Sequence, residues 1–306
     1  MSIFLDFDGT ITVEDTIGEL ADFALRFQRE RGGDGAGPDL KPQWDAVVRA
    51  YADDARAHAA AYRPAAPDRR DPAHEAAFLR ASKPVEARSL ARVRACALFR
   101  GIGRDALRGA ARCRLRPGFA DFVARRAREG WRLYVVSVNW SAAFIEGACG
   151  SGFGGEGEGE GVNVKIKVLA NEVREEDGAV VGPEILNRGG GEGGEGEGTR
   201  TLTNSCDKLE VMRAVLREEE EERGLRDRPS VYFGDSTTDL ECLLEASRGI
   251  VIADAADSPL LQTLRRIGRD VPRVREAGSS LAEGGPRLAW AADFEEVMAH
   301  VDFTLE

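Results

Sequence analysis

Met1-Ser2-Ile3-Phe4-Leu5-Asp6-Phe7-Asp8-Gly9-Thr10 opens the chain and decides how the rest of it is read. Ile3, Phe4 and Leu5 form a continuous apolar run that stops at Asp6, Asp8, Gly9 and Thr10. Such a run, ended by turn residues, predicts a buried strand of the kind found in parallel sheets. It delivers two carboxylates, one residue apart, to the strand's carboxyl end, where open α/β sheets keep their ligand crevice. Period-two alternation points Asp6 and Asp8 the same way and turns Phe7 into the packing. Two desolvated acids at one place repel each other and call for a cation or a shared proton. Taken alone, Asp-x-Asp-Gly-Thr also fits an Asp-Gly turn carrying two solvated acids, so the choice falls to the other segments.

The chain has 306 residues, enough for one large domain or one domain with a second inserted. Its 42 basic and 53 acidic residues give a net charge of −11, much of it in local glutamate runs such as Glu218 to Glu222. With no basic stripe, nucleic acid is not the expected partner. Five scattered cysteines (Cys96, Cys113, Cys149, Cys206, Cys242) without Cys-x-x-Cys spacing, and only three histidines, argue against zinc and for reduced thiols. No apolar run reaches the roughly 20 residues of a membrane span and no signal peptide precedes the first strand, so a cytoplasmic protein without a membrane partner is expected.

Ile17, Leu20, Phe23, Ala24 and Phe27 recur at helical spacing, Trp44 to about Tyr62 resumes it, and two further helical stretches cover about 74–82 and 85–100. No convincing strand interrupts this block. A helix is expected to start at Arg116-Pro117-Gly118, with Pro117 in its first turn. Trp131 to Val136 then reads as a strand ending at Ser137, followed by a helix over about 141–148. Asn163 to Val173 and Ala179 to Val181 flank Glu-Glu-Asp-Gly and predict a hairpin. Asp207 to Arg223 is a helix opening with Lys208. Ser230 to Phe233 is a strand ending at Gly-Asp-Ser-Thr-Thr-Asp, and Gly249 to Ala253 is the last clear strand. Two Gly/Glu tracts, about 150–161 and 189–198, read as flexible surface loops. The fold class that follows is α/β, a doubly wound parallel sheet with an inserted all-helical cap. Residues 1–14 and 113–306 form the core and 15–112 the cap.

Three strand ends then carry polar groups that fit one chemistry: Asp6 and Asp8, Ser137, and Asp235 with Asp239, with Lys208 opening the helix before the last of these. Carboxylates without histidine suit a hard cation such as Mg²⁺. A lysine and a hydroxyl balance a phosphoryl charge, a carboxylate attacks phosphorus, and a second acid moves the proton. Singly, Ser137 and Asp239 read equally well as helix caps.

Asp-Phe-Asp-Gly-Thr (6–10), Ser137, Lys208 and Gly-Asp-Ser-Thr-Thr-Asp (234–239) resemble, in order, the four motifs of the haloacid dehalogenase superfamily. Thr12-Val13-Glu14-Asp15-Thr16-Ile17, Leu115-Arg116-Pro117-Gly118 and Ala170-Asn171-Glu172-Val173 resemble its phosphoserine phosphatase branch and related methionine-salvage phosphatases. The resemblance implies a phosphatase acting on a small phosphorylated metabolite. Asp6 is then the nucleophile and Asp8 the acid/base, and Mg²⁺ is held by Asp6, the Asp8 main-chain carbonyl and Asp235, supported by Asp239. Phosphate falls to Thr10, Ser137, Val138, Asn139 and Lys208, and substrate choice to Asp15 and Trp140. The presence of Asp8 favours phosphoryl transfer over dehalogenation. Ser137-Val138-Asn139-Trp140 departs from the Ser-Gly-Gly of phosphoserine phosphatases, and Asp15 is one methylene shorter than their substrate-reading Glu. A catalytically silent binding protein and a phosphotransferase remain as alternatives on the same fold.

Overall fold

The computed structural model describes residues 1–31, 37–153, 164–188, 200–224, 229–277 and 287–301. β1 (Ser2–Leu5) is fully buried along its length, as its apolar run dictates. Among the described residues five α-helices follow first: α1 (Ile17–Glu30), α2 (Lys41–Ala61), α3 (Pro72–Ala81), α4 (Lys83–Ala95) and α5 (Arg104–Ala110). α6 (Phe119–Arg128), β2 (Arg132–Ser137) and α7 (Ala142–Phe153) come next, then β3 (Ile166–Ala170), the two-residue strands β4 (Glu172–Val173) and β5 (Val180–Val181), and α8 (Glu184–Asn187). The chain closes with α9 (Ser205–Arg223), β6 (Ser230–Gly234), α10 (Leu240–Glu245), β7 (Arg248–Ile252), α11 (Pro259–Arg266), α12 (Val274–Ala277), β8 (Leu288–Ala291) and α13 (Phe294–His300).

Six of the strands form one sheet in the order β3-β2-β1-β6-β7-β8, every pair parallel. β1 sits inside it, with Leu5 in register with Val135 of β2 and Phe233 of β6. Alternation sorts the sheet's side chains to two cores. Ile3, Leu5, Val135 and Phe233 pack on one face with Phe122 of α6, Phe144 of α7 and Phe294 of α13. Phe4, Tyr134, Val136 and Tyr232 pack on the other with Met212 of α9, Leu240 of α10 and Leu260 of α11. Each fully buried aromatic or aliphatic side chain of this kind contributes about 1.5–3 kcal/mol against leaving it in water. The helical block leaves and re-enters the sheet side by side: Thr12 bridges Leu115 antiparallel, Val13 N–H donates to Arg114 O at 3.0 Å, and Arg116 N–H donates to Ile11 O at 2.8 Å.

Some expectations need correction. The sheet does not end at β7: Leu288-Ala-Trp-Ala adds β8 at its edge, a run too short for periodicity to identify. The hairpin around Glu175–Gly178 is confined to Glu172-Val173 paired with Val180-Val181, while Ile166–Ala170 joins the main sheet parallel to β2. Pro117 lies outside α6, because Gly118 turns at φ +75° before the helix begins at Phe119. Its added Cβ would fall 2.6 Å from the Glu295 backbone N, so only glycine fits this approach of α6 to α13. α7 runs to Phe153, past the start of the first Gly/Glu tract. The remainder of that tract and the whole of the second lie outside the described residues. No helix among the described residues is long and apolar enough to cross a membrane.

Candidate active site

β1 ends at Leu5, and the chain then curls around one carbonyl. Phe7 O accepts from the N–H groups of Ile11 at 2.9 Å and Thr12 at 3.0 Å. Phe7 itself is fully buried, edge-on to Phe144, and anchors this loop in the core. Asp6 N–H still donates to Phe233 O of β6 at 2.9 Å, so the acid stands at the carboxyl edge where β1 meets β6. Its Oδ1 is taken twice, by its neighbour's Phe7 N–H at 2.7 Å and by Lys208 Nζ at 2.7 Å. No described residue donates to Oδ2.

Lys208 lies in the first turn of α9, whose start is capped by the Asn204 side chain accepting from Asp207 N–H. Its ammonium is wholly buried and bridges Asp6 Oδ1 and Asp239 Oδ1, 2.7 Å from each. Burial opposes the charge, but the Asp239 and Asp6 carboxylates outweigh it and hold the pKa above the usual lysine value. Asp239 is fully committed: Oδ1 accepts from Lys208 and from Tyr232 Oη at 2.7 Å, and Oδ2 accepts from the N–H groups of Asp235 and Ser236. It holds Lys208 and shapes the turn.

Asp235 accepts from Thr10 Oγ1 at 2.9 Å on Oδ1. No described residue donates to its Oδ2. Burial, then the Asp239 charge, push its carboxyl up to about 7, and burial with the Asp239 charge raises Asp6 well above the usual carboxylate range. Oxygens of Asp6, Asp235 and Asp239 lie within 4.8 Å of one another, a clustering of acids that suits a hard divalent cation. With Asp239 saturated, the carboxylates of Asp6 and Asp235 are the ones able to hold Mg²⁺. The Asp8 carboxylate is not part of this cluster.

Gly9 makes this convergence possible. Its φ is +75°, and an added Cβ would lie 2.3 Å from Asp235 Oδ2. Gly9→Ala is therefore expected to lower Mg²⁺ affinity by at least about tenfold and to destabilise the fold by about 1–3 kcal/mol. Calorimetric Mg²⁺ titration and thermal melts check both.

Asp8 is held on a separate triangle. Its Oδ1 accepts from Thr16 N–H at 2.7 Å and Thr16 Oγ1 at 2.6 Å, and its Oδ2 accepts from Asn139 Nδ2 at 2.8 Å. Burial raises its pKa, and the hydrogen bonds from Thr16 and Asn139 hold it back. Ser137 ends β2 fully buried and lines the cavity, with its Oγ accepting from Asn139 N–H at 3.1 Å and its own proton left to donate. Val138 also lines the cavity, with its carbonyl accepting from Asn171 Nδ2 at 3.1 Å.

Two of the expected phosphate ligands have their polar groups engaged within the protein. Thr10 is fully buried, does not line the cavity, and spends its hydroxyl on Asp235. Asn139 does line it, but its amide is committed to Asp8 and Thr16 and its N–H to Ser137, so it positions the second acid. The structure otherwise brings Asp6, Asp8, Ser137, Val138 and Asp235 to one cavity of about 840 Å³, with Lys208 directly behind Asp6. Asp15 and Trp140 form part of its wall, the Trp140 ring edge-on to Trp44 and Phe99 at 6.0 Å.

Sequence reasoning assigned no role to several residues that matter here. Thr16 orients Asp8. Asn171 ties together the loops at Val138, Asn139 and Leu202. Arg116 donates to Gly9 O at 3.0 Å and pairs with Asp254 at 2.7 Å, bracing the Asp8-Gly9 turn. All three sit in stretches that stood out as family-like, the only signal they gave. Tyr232 gave none, since its hydroxyl reaches Asp239 from within a buried strand. Trp44, Val47, Val48 and Tyr51 repeat at helical spacing, the pattern of a core-facing stripe, yet they line the cavity.

A parallel sheet with an aspartate pair at the end of a central strand, answered by a buried Lys–Asp bridge, defines an open α/β fold with its site at the carboxyl edge. A family model of haloacid dehalogenase-like hydrolases matches residues 3–244, and the chain belongs to that family. The bifunctional TH2 protein of Arabidopsis thaliana, described as mitochondrial, is 25% identical over 279 residues. That match covers 87% of this chain, which spans 40% of the relative's length. Among solved structures, a substrate-bound phosphoserine phosphatase complex superposes with a TM-score of 0.50 at 14% identity, covering 98% of this chain and 97% of the other. A haloacid dehalogenase family hydrolase from Salmonella enterica serovar Typhi gives 0.50 at 14% identity, over 99% and 72%. At that identity both likenesses speak for the fold alone.

Proposed function

We propose that the chain is a Mg²⁺-dependent phosphatase that hydrolyses a small phosphate monoester through an aspartyl-phosphate on Asp6. The observation that carries this reading is the pairing of Asp6, its Oδ1 pinned by Lys208 and Phe7 N–H and its Oδ2 open, with a second acid, Asp8, in the same cavity. In the first step Asp6 Oδ2 bonds to phosphorus as the ester P–O bond breaks, and Asp8 gives its proton to the departing alkoxide. In the second, water attacks phosphorus, Asp8 takes the water's proton, and the Asp6–phosphorus bond breaks to release inorganic phosphate and restore Asp6. The Ser137 hydroxyl and the Lys208 ammonium offset the phosphoryl charge. Asp6, Asp235 and the Asp8 carbonyl would hold Mg²⁺, which would supply Lewis-acid neutralisation of that charge. The helical block over 15–112, which contributes α2 and α4 to the cavity wall, serves as the cap that excludes water. Five free cysteines suit a reducing compartment such as the cytoplasm.

The test is hydrolysis of benzyl phosphate with Mg²⁺, its loss in EDTA and its return on adding Mg²⁺. Turnover indifferent to chelation, or none across a broad panel of small esters, overturns the reading. The Asp8 role has its own check. Thr16→Val removes a hydroxyl that holds the Asp8 pKa down, so the protonated form persists further. The alkaline limb of the kcat/KM profile for benzyl phosphate is expected to move to higher pH.

A further inference from the structure

The wall opposite the catalytic acids has a composition of its own. Along α2, Trp44, Val47, Val48 and Tyr51 recur at three- and four-residue steps and turn one apolar stripe into the cavity. Val48 is 47% and Tyr51 39% exposed, the large apolar side chains that the described fold leaves uncovered. Facing them are two carboxylates, Asp15 before α1 and Glu86 on α4, the latter accepting from Tyr51 Oη at 2.9 Å. Neither makes an ion pair among the described residues. Among the described residues the single basic one lining the cavity is Arg116, and its guanidinium is already taken by Asp254, Gly9 O and Ala292 O. An amino-acid or sugar-acid leaving group would thus find no cation for its carboxylate. An aromatic face beside unpaired acids attracts the opposite charge, and about 840 Å³ leaves room for a ring system.

We propose that the substrate's leaving group is an alcohol built on a flat, positively charged ring, seated between the α2 stripe and the Asp15 and Glu86 carboxylates. This rests on the phosphatase reading above. The ring covers Val48 and Tyr51, and the two acids gain the counter-charge that the protein withholds from them.

The experiment compares three esters on the Mg²⁺-loaded full chain: the phosphate of an N-methylpyridinium methanol, its neutral counterpart benzyl phosphate, and phosphoserine. The pyridinium ester is expected to exceed both others in kcat/KM by at least about tenfold, mostly through KM. Glu86→Gln and Asp15→Asn, which keep shape but drop charge, are expected to cut the pyridinium-to-benzyl ratio by about fivefold or more. Phosphoserine turned over as well as the pyridinium ester, or a ratio unmoved in both variants, overturns the inference. If benzyl phosphate is hydrolysed without any charge preference, only this inference falls; if none of the three is hydrolysed, the phosphatase reading falls with it. The wild-type series decides even if a variant fails to fold.

Discussion

Asp6→Asn is expected to lower kcat by at least about 10⁴-fold while the fold survives. The amide matches the carboxylate in shape, and its carbonyl oxygen can still accept from Lys208 Nζ and Phe7 N–H, the two contacts that position Asp6 Oδ1. What disappears is the anionic Oδ2 available to phosphorus. The variant also sheds a carboxylate whose pKa is raised well above the ordinary range by burial and by Asp239, so in the absence of Mg²⁺ its melting temperature should equal or exceed the wild type's at pH 8. Benzyl phosphate kinetics and thermal melts measured together separate this outcome from simple unfolding. A variant that unfolds or keeps more than about a tenth of the activity contradicts the assignment.

Lys208→Met is expected to cost both activity and stability, the latter by about 3–5 kcal/mol. The ammonium is fully buried between Asp6 and Asp239, so its loss leaves buried charge without compensation. The pH dependence has a definite sign. Carboxyls with raised folded-state pKa values, as at Asp6 and Asp235, favour the folded state while protonated, and that contribution is lost as pH rises from about 4 through their folded values, about 7 for Asp235. Without Lys208 this penalty grows, so the deficit of the variant should be small near pH 4.5 and large at pH 8. Denaturant titration at the two pH values checks it. A deficit that shrinks as pH rises would mean that Lys208 is not what keeps these acids tolerable.

The reach of the sequence followed from what each residue depends on. β1 was legible because an apolar run stopped by Asp-x-Asp-Gly is a local signal. Lys208 was legible because a lysine in a first helical turn opposes the helix dipole and points to an anion, and the anions proved to be Asp6 and Asp239. The partners of Thr10 and Asn139 were not legible for the converse reason. A hydroxyl or amide near a phosphate site has several partners in reach, and only the fold reveals that Thr10 spends its donor on Asp235, 225 positions away, and Asn139 on Asp8, 131 positions away. The place of the α2 stripe on the cavity wall was not legible, because helical periodicity reports an apolar face without saying whether protein or cavity lies opposite. β8 escaped because four residues carry too little pattern.

The most direct test of the central claim is an acid-quenched reaction of the Mg²⁺-loaded chain with benzyl phosphate labelled with ³²P. Label is predicted on the peptide that contains Asp6, released by hydroxylamine as an acyl phosphate and missing from Asp6→Asn. Turnover that leaves the protein unlabelled, or label on another residue, would contradict it.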